Sequence, residues 1–194
     1  MKGRRIIYAI VLSVLCFAGV NAQSIKFGPK VGLNISNYTG DNVESNALMG
    51  FHLGGLLNFG LGNVFSIQPE VLFSTQGAKI KGGLEDYEFK TNYVSIPVML
   101  KARTAGGFYI ELGPQVAFKT GENIGDKTIT DFANDLDVAA GAGLGFQAGM
   151  GLGIGARYVQ GLSKVGTLKN SNLSPDVKNS IIQVSLFWAI PAGR

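Results

Sequence analysis

The chain has almost no cysteine and little charge. Its one cysteine, Cys16, sits in an apolar run near the amino terminus. Disulfides and Cys-ligated metals are therefore excluded from everything downstream. His52 is the only histidine, so a multi-imidazole metal site is excluded as well. Charged residues make up 15% of the 194, below the ~25% of an ordinary soluble domain. Past residue 22, no run reaches the ~20 apolar residues that a spanning helix needs.

The amino terminus reads as a secretory leader. Lys2, Arg4 and Arg5 form a basic head, Ile6–Val20 is apolar, and Val20-Asn21-Ala22 offers small residues to a signal peptidase. The expected organisation is a signal peptide at 1–22 and one domain at 23–194, with cleavage before Gln23. Leu15 precedes Cys16 where a lipoprotein needs a small residue, so Cys16 belongs to the apolar run. Removing the leader takes 3 of the 17 Lys and Arg and none of the 13 acids. That leaves 14 against 13, a net charge of +1. The basic balance belongs to the leader and gives no reason to expect nucleic acid as a partner.

What the chain has in quantity is glycine, 28 residues, and strict alternation. In Phe108–Lys119, Phe108, Ile110, Leu112, Pro114, Val116 and Phe118 fall on one face. Tyr109, Glu111, Gly113, Gln115, Ala117 and Lys119 fall on the other, as a strand requires. The same pattern marks Ile25–Ile35, Leu48–Phe59, Val64–Gln76, Glu88–Lys101, Leu136–Ala148, Leu152–Leu162 and Asn179–Ile190. The fold class is all-β: a closed antiparallel transmembrane barrel of about eight strands, up and down. Connections alternate long and short. Short turns are expected on the periplasmic side, with Ser36–Asn46, Gly77–Tyr87, Thr120–Asp135 and Ser163–Lys178 as outer loops. Phe27, Phe59, Phe65, Phe108, Phe146 and Trp188 would form the periplasmic girdle, and Phe51, Phe73 and Phe118 the outer one. Volume decides the faces: an eight-stranded interior barely holds its side chains, so the Phe- and Leu-rich set points outward. A soluble ligand-binding barrel would need the reverse. Pro69, Pro97 and Pro114 fall inside strands and cannot donate to a ladder; bulges are expected to absorb them.

The inward face carries Lys26, Lys30, His52, Glu70, Lys101, Glu111, Lys119, Asp137 and Arg157. Charges inside a narrow barrel must be paired or wet. Glu70, Glu111 and Arg157, near mid-strand, form the expected lumen charge network, read as a structural plug with an ion path as the rival. His52 is read as a hydrogen-bonded lumen residue, because a lipid-modifying base would have to meet lipid. Gly143-Leu-Gly145-Phe-Gln-Ala148 matches a dinucleotide fingerprint, but no helix follows. Asp131, Asp135 and Asp137 lack the EF-hand spacing and read as a solvated loop. Asn37-Tyr-Thr39 and Asn172-Leu-Ser174 are weak glycosylation sequons. No catalytic residue, cofactor or metal is expected.

The segments KVGLNIS, IQPEVLFSTQGAK, YVSIPVMLKAR, FYIELGPQVAF and ARYVQGLSKV, taken in order, resemble the PorT-like outer membrane β-barrel family of Bacteroidetes. The resemblance covers roughly Ile25–Trp188. It implies an eight-stranded outer membrane barrel, and its namesake assists protein secretion. Such barrels usually finish on an aromatic that the assembly machinery reads; here six residues follow Trp188. The function expected is that of a non-enzymatic outer membrane barrel of a Gram-negative cell envelope, acting by loop-mediated surface interaction or by support of protein export. Its expected partners are outer membrane lipid, the barrel assembly machinery and a protein at the outer loops, with the barrel a monomer. A narrow pore, a lipid-modifying outer membrane enzyme and a soluble ligand-binding barrel are the alternatives.

Overall fold

Ribbons with one apolar and one polar or small face have two ways to hide an edge, and closing the sheet on itself removes edges altogether. This chain closes. A computed structural model describes residues 24–39, 45–82, 85–124, 127–128, 136–162 and 178–193. The expected leader at 1–22, Asp131, Asp135 and the Asn172 sequon lie outside the described residues.

The strands are β1 (Ile25–Thr39), β2 (Ser45–Leu61), β3 (Phe65–Gly82), β4 (Glu85–Arg103), β5 (Phe108–Ile124), β6 (Lys127–Thr128), β7 (Leu136–Gln147), β8 (Leu152–Gly161), β9 (Lys178–Trp188) and β10 (Ile190–Pro191). Eight are long. The two-residue β6 returns on the end of β5, and β10 continues the line of β9 along β1. Each long strand pairs antiparallel with its sequence neighbour, and β1 pairs with β9 to close the barrel.

Parity holds along the wall. Leu112 is 59% exposed and Ile110 63%, whereas Glu111 between them is 6% exposed. Phe108 packs on Phe146 with ring centroids 5.3 Å apart at the short-turn end, and Phe51 lies 6.1 Å from Phe73 towards the other end. The expected girdle residues turn outward, although Phe59 is only half-exposed.

Two expectations need correction. The first concerns the long loops. The ladder of β3 and β4 runs on to Gly82↔Glu85, so most of Gly77–Tyr87 is paired strand. β1 likewise continues to Thr39, and β5 to Ile124. Once a hairpin leaves the membrane both faces meet water, so the apolar alternation stops while the backbone pairing continues. At 18 residues, β3 spans about 60 Å, more than a tilted crossing of a ~25 Å apolar band consumes. At the opposite end the turns are short, and Gly107 and Gly151 take φ of 95° and 93° there, a region open to glycine.

The second correction concerns the prolines. The bulges fall elsewhere: one between Ala47 and His52, the other at Asn92/Tyr93. At the prolines the ladder pauses and then resumes in the same register. β2 and β3 pair at Leu56↔Glu70 and again at Phe59↔Ile67, skipping Pro69. β3 and β4 pair at Pro69↔Val98 and again at Leu72↔Ser95, skipping Pro97. β4 and β5 pair at Pro97↔Gln115 and again at Leu100↔Leu112, skipping Pro114. Pro29 occupies the same kind of gap, between Phe27↔Ile190 and Lys30↔Phe187. A pause omits rungs without shifting faces, which is why Tyr93, Ser95, Pro97 and Met99 all stay inside.

The lumen is filled, and glycines provide the seats. A Cβ on Gly145 would lie 2.5 Å from the Tyr109 hydroxyl, and one on Gly155 would meet the same atom. Gly153 makes room for the Phe187 ring, and Gly32 for the His52 imidazole. Tyr109, Phe187, Leu56 and Ala189 pack together near the short-turn end.

Candidate functional site

The lumen site begins with parity. Glu70 on β3, Glu111 on β5 and Arg157 on β8 all occupy inward positions, and the structure brings the three together. Arg157 donates from Nη1 to Glu70 Oε2 at 3.0 Å and from Nη2 to Glu70 Oε1 at 2.9 Å. Its Nε donates to Glu111 Oε1 at 2.7 Å. One planar guanidinium thus holds a bidentate pair on one side and a single bond on another, a division that lysine cannot make.

Two further cations join, and the three-residue reading missed them. Lys30 Nζ lies 3.0 Å from both Glu70 oxygens. Lys101 Nζ lies 3.8 Å from Glu111 Oε2 and donates to Gln68 Oε1 at 3.2 Å. It also sits 3.8 Å from the Tyr109 ring centroid and 4.6 Å from that of Phe187, a cation–π placement in a desolvated setting. Gln68 in turn donates to Glu70 Oε1 at 2.7 Å. All five charged groups are buried. Three cations face two carboxylates, so the cluster carries one excess positive charge. Parity had already put Lys30 and Lys101 inside. What it lacked was the stagger of the strands, which decides who meets whom across the lumen.

Above this cluster lies a neutral network. Asn34 Nδ2 lies among three acceptors that share its two hydrogens, Ser74 Oγ at 3.0 Å, Thr75 O at 3.0 Å and Phe51 O at 3.1 Å. Its Oδ1 is therefore an acceptor, and His52 Nδ1, 2.7 Å away, must carry the proton. In the neutral ring Nε2 then accepts from Ser185 Oγ at 2.9 Å. Both imidazole nitrogens are committed, which leaves neither for a metal. The order Ser185–His52–Asn34 is that of a nucleophile, its base and an orienting amide. All three are buried inside the wall, however, with Ser185 4% exposed and the other two 0%. The other singled-out motifs hold no chemistry of their own. Gly143 and Gly145 lie within β7 and leave room for neighbouring side chains, and Asp137 is a buried strand residue.

Comparison with known families places this arrangement. The model described as "Outer membrane protein beta-barrel domain" matches residues 21–166, about three-quarters of the chain. The chain belongs to this outer membrane β-barrel family. It is an outer membrane protein, and its fold is the closed eight-stranded antiparallel barrel of small members of that class. Ail, the attachment invasion locus protein of Yersinia pestis, is 16% identical over 87% of this chain and 100% of its own, with a TM-score of 0.55. Neisserial surface protein A is 12% identical over 84% of this chain and 96% of its own, with a TM-score of 0.57. OprG from Pseudomonas aeruginosa is 11% identical over 85% and 91%, with a TM-score of 0.50. At such identities the likeness is one of fold. A comparison with curated proteins finds no match. The reading as a soluble ligand-binding barrel is overturned: family and fold place the barrel in the outer membrane, and its apolar face points outward.

Proposed function

We propose that this barrel is a non-enzymatic, monomeric scaffold that holds its long hairpins outside the membrane, with the short turns facing the periplasm. The hairpins meet a protein or an extended surface ligand. The observation that carries this reading is the filled lumen. Arg157, Glu70, Glu111, Lys30 and Lys101 satisfy one another across the bore, which favours a plug over a conducting path. With the bore occupied, the exposed hairpins are where a rigid scaffold presents function. The description of Ail as an attachment protein, and its structure with the heparin analogue sucrose octasulfate, supports the same kind of task here. The finer resemblance to PorT-like barrels supports a role beside protein export, and the two tasks share the hairpins as their working surface.

Intact cells expressing the full barrel, compared with a variant whose outer loops are trimmed, test the proposal. A partner captured by the first and lost by the second is the expected result. Equal capture refutes it. A deletion strain assayed for secreted proteins separates export from adhesion. The Ser185–His52–Asn34 order supports a rival reading as a lipid-modifying enzyme. In that case an expressing strain would show a change in lipid A mass that Ser185→Ala abolishes.

A further inference from the structure

At the short-turn end, the mouth of the lumen narrows to a polar cleft of about 50 Å³. Its lining includes Lys26 from β1, Lys101 and Arg103 from β4, and Asn58, Ser66 and Gln147. Three cations share this small concavity, and no carboxylate lines it. Lys26 and Arg103 line the same cleft, and like charges held together in a cleft repel unless an anion joins them. Neither Lys26 nor Arg103 has an ion-pair partner among the described residues.

The floor does not relieve this. Lys101 is shared with the buried cluster behind, where Lys30 and Arg157 already balance Glu70 and Glu111. That cluster therefore has no spare negative charge to offset the cleft. The neutral groups divide. Asn58 Nδ2 is spent on Ser66 Oγ and Gln68 Oε1. Gln147 is 6% exposed and has no side-chain hydrogen bond among the described residues, so its amide is free to donate.

Size limits the ligand. A water needs roughly 10–15 Å³ of such space, so the cleft holds a few waters or one tetrahedral oxyanion and nothing larger. An arginine fork beside two ammonium groups is suited to phosphate. We propose that this cleft binds a phosphate-type oxyanion through Lys26, Arg103 and Lys101. Two sources share that chemistry. One is free inorganic phosphate. The other is the headgroup of a lipid in the adjoining leaflet, since Phe65 lines the cleft and is also 53% exposed on the girdle.

The test uses the full mature barrel refolded in a phosphate-free zwitterionic detergent. Inorganic phosphate is titrated and followed by ³¹P NMR and calorimetry. The wild type is expected to bind one equivalent. Lys26→Gln combined with Arg103→Gln is expected to weaken binding about tenfold or more. Both positions are only part-buried, and the mobility of the unheated barrel on gels checks that the variant folds. Nanodiscs of phosphatidylcholine with and without phosphatidic acid separate the sources. Displacement of phosphate by phosphatidic acid assigns the site to a lipid headgroup; retention assigns it to free phosphate. Absence of binding by the wild type, or equal affinity in the double variant, overturns the proposal.

Discussion

Replacing Arg157 by methionine removes the guanidinium and keeps a chain of similar reach. Three charge-assisted hydrogen bonds disappear, two to Glu70 and one to Glu111. The two carboxylates are not stripped equally. Glu70 keeps both contacts from Lys30 and the bond from Gln68. Among the described residues Glu111 keeps only Lys101, at 3.8 Å. Breaking a buried pair costs about 3–5 kcal/mol when the orphan has no other partner. With Glu70 still held, the loss falls at the lower end, about 3 kcal/mol, and most of it sits on Glu111. Lys30→Met should cost less, about 1–2 kcal/mol, because Glu70 then retains the bidentate arginine. The penalty in Arg157→Met comes from a negative charge without a close cation. A protonated carboxyl needs none, so the deficit against wild type should shrink between pH 7 and about pH 4. Urea titrations of the barrel in lipid vesicles at the two pH values measure both effects. An equal and small deficit at both would mean that Arg157 is solvated. The plug would then give way to a wet bore.

Other outcomes follow from the wall and the packing. Leu112→Arg, on the lipid face, should disfavour the inserted state by about 2–4 kcal/mol, read from folding equilibria in lipid. Gly113→Arg should fail to fold at all, since even a Cβ there would meet the Val98 carbonyl; recovery of a folded band would contradict the inward assignment. Gly155→Ala should weaken the barrel by pushing on the Tyr109 hydroxyl, and Tyr109→Phe should return part of the loss in urea titration. In planar bilayers the wild type should show no steady conductance, because the charged side chains close the bore; stable channel steps would favour the pore.

Faces and strands were legible because the membrane imposes them residue by residue. Leu112 must meet lipid and Glu111 must not, and period two records that choice directly. Strand length was not legible beyond the membrane. Between Gly77 and Glu88 the sequence loses its apolar alternation while the backbone still pairs. The lumen was legible as an inventory and not as a wiring diagram. The inward parity of Lys30 and Glu70 is local, but their 3.0 Å meeting depends on the registers that join β1, β2 and β3. Proline was misread for a related reason. Its missing donor is a local fact, whereas the choice between a bulge and a pause belongs to the neighbouring strands.

The pauses at Pro69, Pro97 and Pro114 run diagonally over three adjoining seams, and Glu70 sits among them. A hoop with missing stitches tends to flatten under load. Here the load path turns inward. Lys30, two strands along on β1, and Arg157, from β8 across the bore, grip Glu70, like spokes fixed where the rim is thinnest. Roundness at that height is therefore a property of the spokes. Cutting them should let the rim breathe there first, and amide deuteration at Val71 and Met99 should accelerate well before that of the unbroken β8–β9 seam.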